Sequence, residues 1–223
     1  MIKLIRDNRL YFILCLVWFA VAGIPLLFVD KGAFSLFLNK YHSPALDIFF
    51  RYATWMGDGL VIGIVCLILF FVKFRYAIIT SVVSFLSAWF VSLIKHAVDE
   101  ERPSLYFKGM QLNYVKGVEL YQRMSFPSGH TAAAFTLFLL FIIFTTNKKF
   151  SWLYFFLAVL VAVSRVYLLQ HFEVDVFFGS LFGVVFTLIL YYLINITPLL
   201  KGKWSEGSLI TLMRKRNQPA TGN

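Results

Sequence analysis

Eight residues whose types could do chemistry stand in three short groups along a chain of 223 residues. The first group is Lys95 with Arg102-Pro103. The second is Pro127-Ser128-Gly129-His130. The third is Ser164-Arg165 followed by His171 and Asp175. Three cations, an anion-binding turn, two imidazoles and a carboxylate make a set suited to handling phosphate without a metal. Arg presents a rigid fork of donors to phosphate oxygens, and Lys a mobile point charge. In the second group Pro suits the turn before a helix, Ser is a preferred N-cap, and Gly lets the backbone approach a ligand. The first N–H groups of the helix that follows then face an anion from the positive end of its dipole. The same four residues also read as a plain capped helix start, and Lys95 alone reads as a side chain snorkelling to an interface. His171 and Asp175 are four apart and can meet across a turn into a helix. A carboxylate on one imidazole nitrogen fixes the tautomer and leaves the other nitrogen as a nucleophile. His130, on a separate segment, can give a proton to a departing oxygen. The set lacks a three- or four-ligand metal grouping, and its cations would oppose a dication.

The elements that must position these groups are apolar. The chain is 60% hydrophobic and only 14% charged, against about half and a quarter in soluble domains. The excess lies in long runs, which points to an all-α polytopic membrane protein forming one bundle over residues 1–223. No basic stripe interleaved with exposed aromatics accompanies the net charge of +10, so nucleic acid is a poor partner. Cys15 and Cys66 fall inside apolar runs and read as buried free thiols. Six transmembrane helices are expected, over residues 10–29, 59–72, 76–98, 131–146, 152–169 and 174–196. Ala20-Val21-Ala22 resembles a signal-peptidase site, but the apolar run continues past it and a signal anchor fits better. Residues 44–56 mix Leu46, Ile48, Phe49, Phe50 and Trp55 with Asp47 and Arg51, a pattern for an interfacial amphipathic helix. Residues 201–223 read as a polar, basic and mobile tail.

Charge asymmetry orients the bundle. With the N-terminus in the cytoplasm, the inner segments hold twelve basic residues against two acidic ones, a net of +10. The nine basic and nine acidic residues elsewhere cancel. The positive-inside rule therefore puts both termini in the cytoplasm. All three groups then fall at the outer ends of their spans.

The pattern Lys95-x6-Arg102-Pro103, Pro127-Ser128-Gly129-His130 and Ser164-Arg165-x5-His171-x3-Asp175 resembles the three motifs of the type 2 phosphatidic acid phosphatase family, which is related to vanadium haloperoxidases and acid phosphatases. The likeness covers residues 95–175, and the six-span plan extends it over most of the chain. It implies a phosphohistidine on His171, oriented by Asp175, with His130 as general acid for the leaving alcohol. It implies that Lys95, Arg102, Ser128, Gly129 and Arg165 bind the phosphate oxygens, with no metal and no cofactor. The expected substrate is a membrane lipid phosphate or diphosphate of the undecaprenyl diphosphate, phosphatidylglycerol phosphate, phosphatidic acid or lipid A type. The expected place is a bacterial inner membrane, with the site facing the periplasm or cell exterior and no obligate protein partner. Three other readings are a lipid phosphotransferase of the same family, a phosphatase for soluble organic phosphates, and a non-enzymatic transporter or lipid-binding protein.

Overall fold

A computed structural model describes residues 1–216. These fold into eleven α-helices joined by turns and short 3-10 segments. They are α1 (Ile2–Asp7), α2 (Arg9–Gly23), α3 (Ala33–Asn39), α4 (Pro44–Ala53), α5 (Gly59–Val72), α6 (Phe74–Val98), α7 (Pro103–Tyr106), α8 (Gly129–Phe144), α9 (Ser151–Tyr167), α10 (Glu173–Ile196) and α11 (Leu209–Arg216). Among the described residues there is no strand.

The six expected apolar runs map onto α2, α5, α6, α8, α9 and α10, except that α2 ends at Gly23, short of residue 29, and a separate 3-10 turn begins at Pro25. Four candidate spans are long and apolar enough to cross a bilayer, built on α2, α6, α9 and α10. A fifth arises if α5 is counted with the helical stretch before it, from which it is bent by 53°. Helix α8 is shorter, at 16 residues, or about 24 Å at 1.5 Å per residue. The six-span count is therefore not reached by length and composition. Ten of the sixteen residues of α8 are buried, packed among α6, α9 and α10, so this helix is central to the bundle and little of its surface faces lipid.

The outer faces are apolar and exposed. Leu16, Val17 and Val21 on α2, Leu60, Leu67 and Ile68 on α5, and Phe85 and Trp89 on α6 are each at least half exposed. A chain surrounded by lipid has no reason to hide them. Inside, a few polar bridges join the helices. Trp18 Nε1 donates to Ser180 Oγ at 2.9 Å, linking α2 to α10, and Ser87 and Thr136 hydroxyls lie 3.4 Å apart between α6 and α8.

The amphipathic stretch forms α4, capped by Ser43, whose side chain accepts from Leu46 N, with Pro44 at the first position, Asp47 in the first turn and Arg51 in the last. Ile48, Phe49 and Tyr52 stay exposed. The tail differs from its expectation. Residues 203–216 are mostly helical, and Glu206 pairs with Lys73 and, at 3.6 Å, with Arg75. Gly207 accepts Phe74 N at 2.8 Å. These bonds, with Ser205 and Ser208 buried and α11 lying against α5, dock the short basic segment on the bundle. The rest of the expected tail, 217–223, lies outside the described residues.

These contacts define two ends. Lys73, Arg75, Asn195 and Glu206 meet at one, where Arg75 also bonds Asn195 at 2.6 Å. The three chemical groups meet at the other.

Candidate active site

The turn after α9 sets the geometry. Arg165 sits in the last turn of α9. Leu169 adopts φ 52°, a left-handed conformation that a bulky residue rarely takes. It lets Gln170 N and His171 N both return to Arg165 O, at 3.0 and 3.2 Å. His171 is thereby folded back over the end of α9, and α10 starts two residues later.

Asp175 opens α10 and is fully buried. Its Oδ2 receives Phe172 N at 2.9 Å, a half capping box that fixes the carboxylate. The same oxygen receives the Ser125 hydroxyl and lies 3.4 Å from His171 Nδ1. His171 is 1% exposed. Burial above all, and then the charges of Arg102, Arg165 and Lys95, hold its pKa well below the ordinary histidine value. The ring is therefore neutral at physiological pH, with Nδ1 turned to the carboxylate and Nε2 left over.

Ser128 caps α8. Its Oγ accepts from Thr131 N at 3.4 Å and Thr131 Oγ1 at 2.9 Å, so its own proton remains to be given. Its backbone N bonds Asp175 O at 3.0 Å. Gly129 and His130, in the first turn, have N–H groups without intrahelical partners. A side chain at Gly129 would place its Cβ 3.8 Å from Lys95 Cε, so the turn lies directly under the lysine. His130 Nε2 is 3.6 Å from Asp58 Oδ2, at the start of α5.

Two of the cations are held by main-chain carbonyls and the third by side chains. Lys95 Nζ donates to Met124 O at 2.7 Å and Ser125 O at 3.4 Å. Arg102 donates to Arg123 O at 2.9 Å, Gln170 O at 3.1 Å and Met124 O at 3.3 Å. Arg165 is 6% exposed. It donates from Nη1 to Thr54 Oγ1 at 2.9 Å and from Nη2 to Gln170 Oε1 at 3.4 Å, while its buried Nε has no partner. A buried guanidinium with a free donor costs free energy unless a ligand takes it.

All eight expected residues thus stand at one end of the bundle. Contacts tie the first group to the third through Arg102 and Gln170, the second to the third through Ser128 and Asp175, and the first to the second at Gly129. Four more residues join them that their types alone did not signal: Ser125 on Asp175, Gln170 and Thr54 on Arg165, and Asp58 beside His130. Tyr121 adds a ring 5.2 Å from the Arg102 guanidinium. Among the described residues, no three His, Cys, Asp or Glu side chains gather in a metal-binding group. A separate cavity of about 390 Å³ is lined by Trp18, Pro25, Phe34, Val166 and Glu173 among others. It includes none of the eight.

Known proteins resemble this chain over the stretch that carries the site. The family model for the PAP2 superfamily matches residues 76–197, which contain all eight. The bacitracin transport permease protein BcrC of Bacillus licheniformis is 31% identical over 166 residues, covering 74% of this chain and 79% of that protein. The crystal structure of LpxE from Aquifex aeolicus superposes with a TM-score of 0.66 at 25% identity, over 74% of this chain and 96% of that one. The structure of the transmembrane PAP2-type phosphatidylglycerolphosphate phosphatase from Bacillus subtilis gives a TM-score of 0.63 at 21% identity, over 89% of this chain and all of that one. At that identity the second likeness speaks for the fold.

Proposed function

Because the chain belongs to the PAP2 superfamily and is a multi-pass membrane phosphatase, we propose that it hydrolyses the phosphate or diphosphate of a membrane lipid through a phosphohistidine on His171. The observation that carries the reading is the buried His171–Asp175 pair, neutral at its imidazole and ringed by three cations. Lys95, Arg102 and Arg165, with the Ser128 hydroxyl and the N–H groups of Gly129 and His130, bind the phosphate oxygens and the charge that grows on them. His171 Nε2 attacks phosphorus. The bond to the lipid oxygen breaks, and His130 gives that oxygen a proton. Water then cleaves the phosphorus–nitrogen bond, with His130 taking the proton back. Asp175 holds the Nδ1 proton throughout.

Depth favours a lipid. Lys95 and Arg165 lie within two turns of the ends of apolar spans, and the loop before α8 carries Tyr106, Tyr114 and Tyr121 exposed, rings that prefer the headgroup level. A lipid entering sideways keeps its chains in the bilayer. Exposing them would cost about 0.8 kcal/mol per CH₂. The site faces the periplasm or cell exterior of a bacterial inner membrane in this reading. The printed name of the BcrC relative speaks of transport, which favours a transporter as the second reading; phosphate release by purified protein separates the two.

The test uses that purified protein in detergent over a panel of lipid phosphates and soluble headgroup analogues. Lipid phosphates are expected to be turned over with higher kcat/KM than their soluble analogues, and His171→Ala is expected to lose all measurable turnover while still folding. Near wild-type phosphate release by His171→Ala would remove the mechanism. Equal efficiency on the soluble analogues would remove the lipid.

A further inference from the structure

The bend between α4 and α5 enters the site beside the three groups. Residues 54–57 form a 3-10 turn that leads straight into Asp58. Two side chains of this stretch reach the cluster. Thr54 Oγ1 accepts from Arg165, and Asp58 Oδ2 stands 3.6 Å from His130 Nε2. Gly57 between them is pressed on the His130 carbonyl and on Val161, so closely that a Cβ there would collide with both. Only glycine permits this approach. The bend is therefore in register with the start of α8 and the end of α9 at once.

Asp58 is also oriented. It is the N-cap of α5, and its Oδ1 accepts from Leu60 N at 2.8 Å. Pinning one carboxylate oxygen by the cap directs the other at the imidazole. Among the described residues, Asp58 is the one carboxylate within ion-pair distance of His130. Its charge matters because Lys95, Arg102 and Arg165 all repel an imidazolium, while general acid catalysis needs one.

We propose that Asp58 is a positioning residue for the leaving-group step, holding His130 and its proton at the mouth of the site. The proposal rests on the reading of His130 as general acid. In the step, the phosphorus–oxygen bond breaks and its electron pair goes to the lipid oxygen. The proton moves from His130 to that oxygen, leaving a neutral imidazole. Asp58 stays ionised. The attacking water later returns a proton to His130, and the pair re-forms.

The experiment compares leaving groups on the full-length protein in detergent. An alkyl phosphate expels a poor leaving group that needs a proton, whereas p-nitrophenyl phosphate expels a good one that does not. Asp58→Asn and Asp58→Ser keep an N-cap acceptor, so α5 retains its start. Each is expected to lower the ratio of kcat on alkyl phosphate to kcat on p-nitrophenyl phosphate by roughly 10- to 100-fold, within the range general acid catalysis contributes. His130→Asn is expected to lower the same ratio at least as far. If His130→Asn lowers it and both Asp58 variants leave it unchanged, Asp58 has no part in the step. If none of the three variants moves it, the general-acid role of His130 falls, and the proposal with it.

Discussion

His171 joins a mechanism to a stability effect. In the unfolded chain it would titrate near its ordinary value of about 6.5, and in the folded protein burial and three cations hold it well lower. Between those two values the unfolded state binds more protons than the folded one. The contribution to stability is therefore complete above about pH 6.5 and is lost as pH falls below it, with a limiting slope of about 1.4 kcal/mol per pH unit for one group. The melting temperature in detergent is expected to fall as pH drops below about 6.5, and His171→Gln to flatten that fall. Parallel pH curves for the two proteins would assign the acid sensitivity to other groups. The gathering of the eight residues was legible from type and spacing, because imidazoles, carboxylates and cations are scarce in an apolar chain. Their supports were not. Ser125 meets Asp175 across 50 positions and Thr54 meets Arg165 across 111, and a lone Ser or Thr carries no signal of a distant partner. Asp58 reads locally as a helix cap, which it is, and only the fold shows its second face.

Helix α8 is placed by glycines on its neighbour. A Cβ at Gly179 of α10 would lie 2.6 Å from Ser128 O and 3.2 Å from Thr131 Cβ, and one at Gly183 would lie 2.5 Å from Ala132 O and 2.9 Å from Phe135 Cβ. The spacing Gly-x-x-x-Gly is the pattern by which two helices approach closely in a membrane. Here it seats the N-terminus of α8, and so the turn of Ser128 and Gly129, against the helix that carries Asp175. Gly179→Ala must push Ser128 away from that seat. It is expected to reduce kcat/KM about tenfold or more, since small misplacements of positioning groups are costly. Gly63→Ala in α5, where a Cβ would meet nothing within 4 Å, is the comparison. It is expected to keep activity and to gain roughly 0.5–1 kcal/mol from helix propensity. Equal activity in the two variants would show that α8 finds its position without the close contact. The spacing of the two glycines is plain in the sequence, but spacing names neither the partner helix nor the turn it holds.

The bundle as a whole was the most legible level, because an apolar run long enough to enter a membrane leaves few alternatives. Helix limits fell close to the expected runs except for α2, which ends at Gly23 where the run continues to residue 29. The short α8 is held at the centre of the bundle by burial, and the bend at Gly57 and the docked segment 203–216 came from contacts no run of apolar residues announces. The same level carries the claim about which side of the membrane the site faces. The two ends of the bundle differ in kind. One gathers Lys73, Arg75 and Glu206, and the other gathers the eight chemical residues. The segments expected on the Lys73–Glu206 side hold the whole net charge of +10, and loop charges of this sign resist translocation. The site is therefore expected to face away from the cytoplasm. Native Cys15 and Cys66 are buried and can be replaced by Ser or Ala to clear the background. Single cysteines at Lys108 or Lys116, both exposed at the site end, are expected to react with a membrane-impermeant thiol reagent added to intact cells. Cysteines at Lys149 or Lys203, exposed at the other end, are expected to react only after the membrane is opened. The reverse pattern would turn the bundle over. It would place His171 among cytoplasmic-leaflet lipids, and so change which phosphates the enzyme can reach while leaving its chemistry intact.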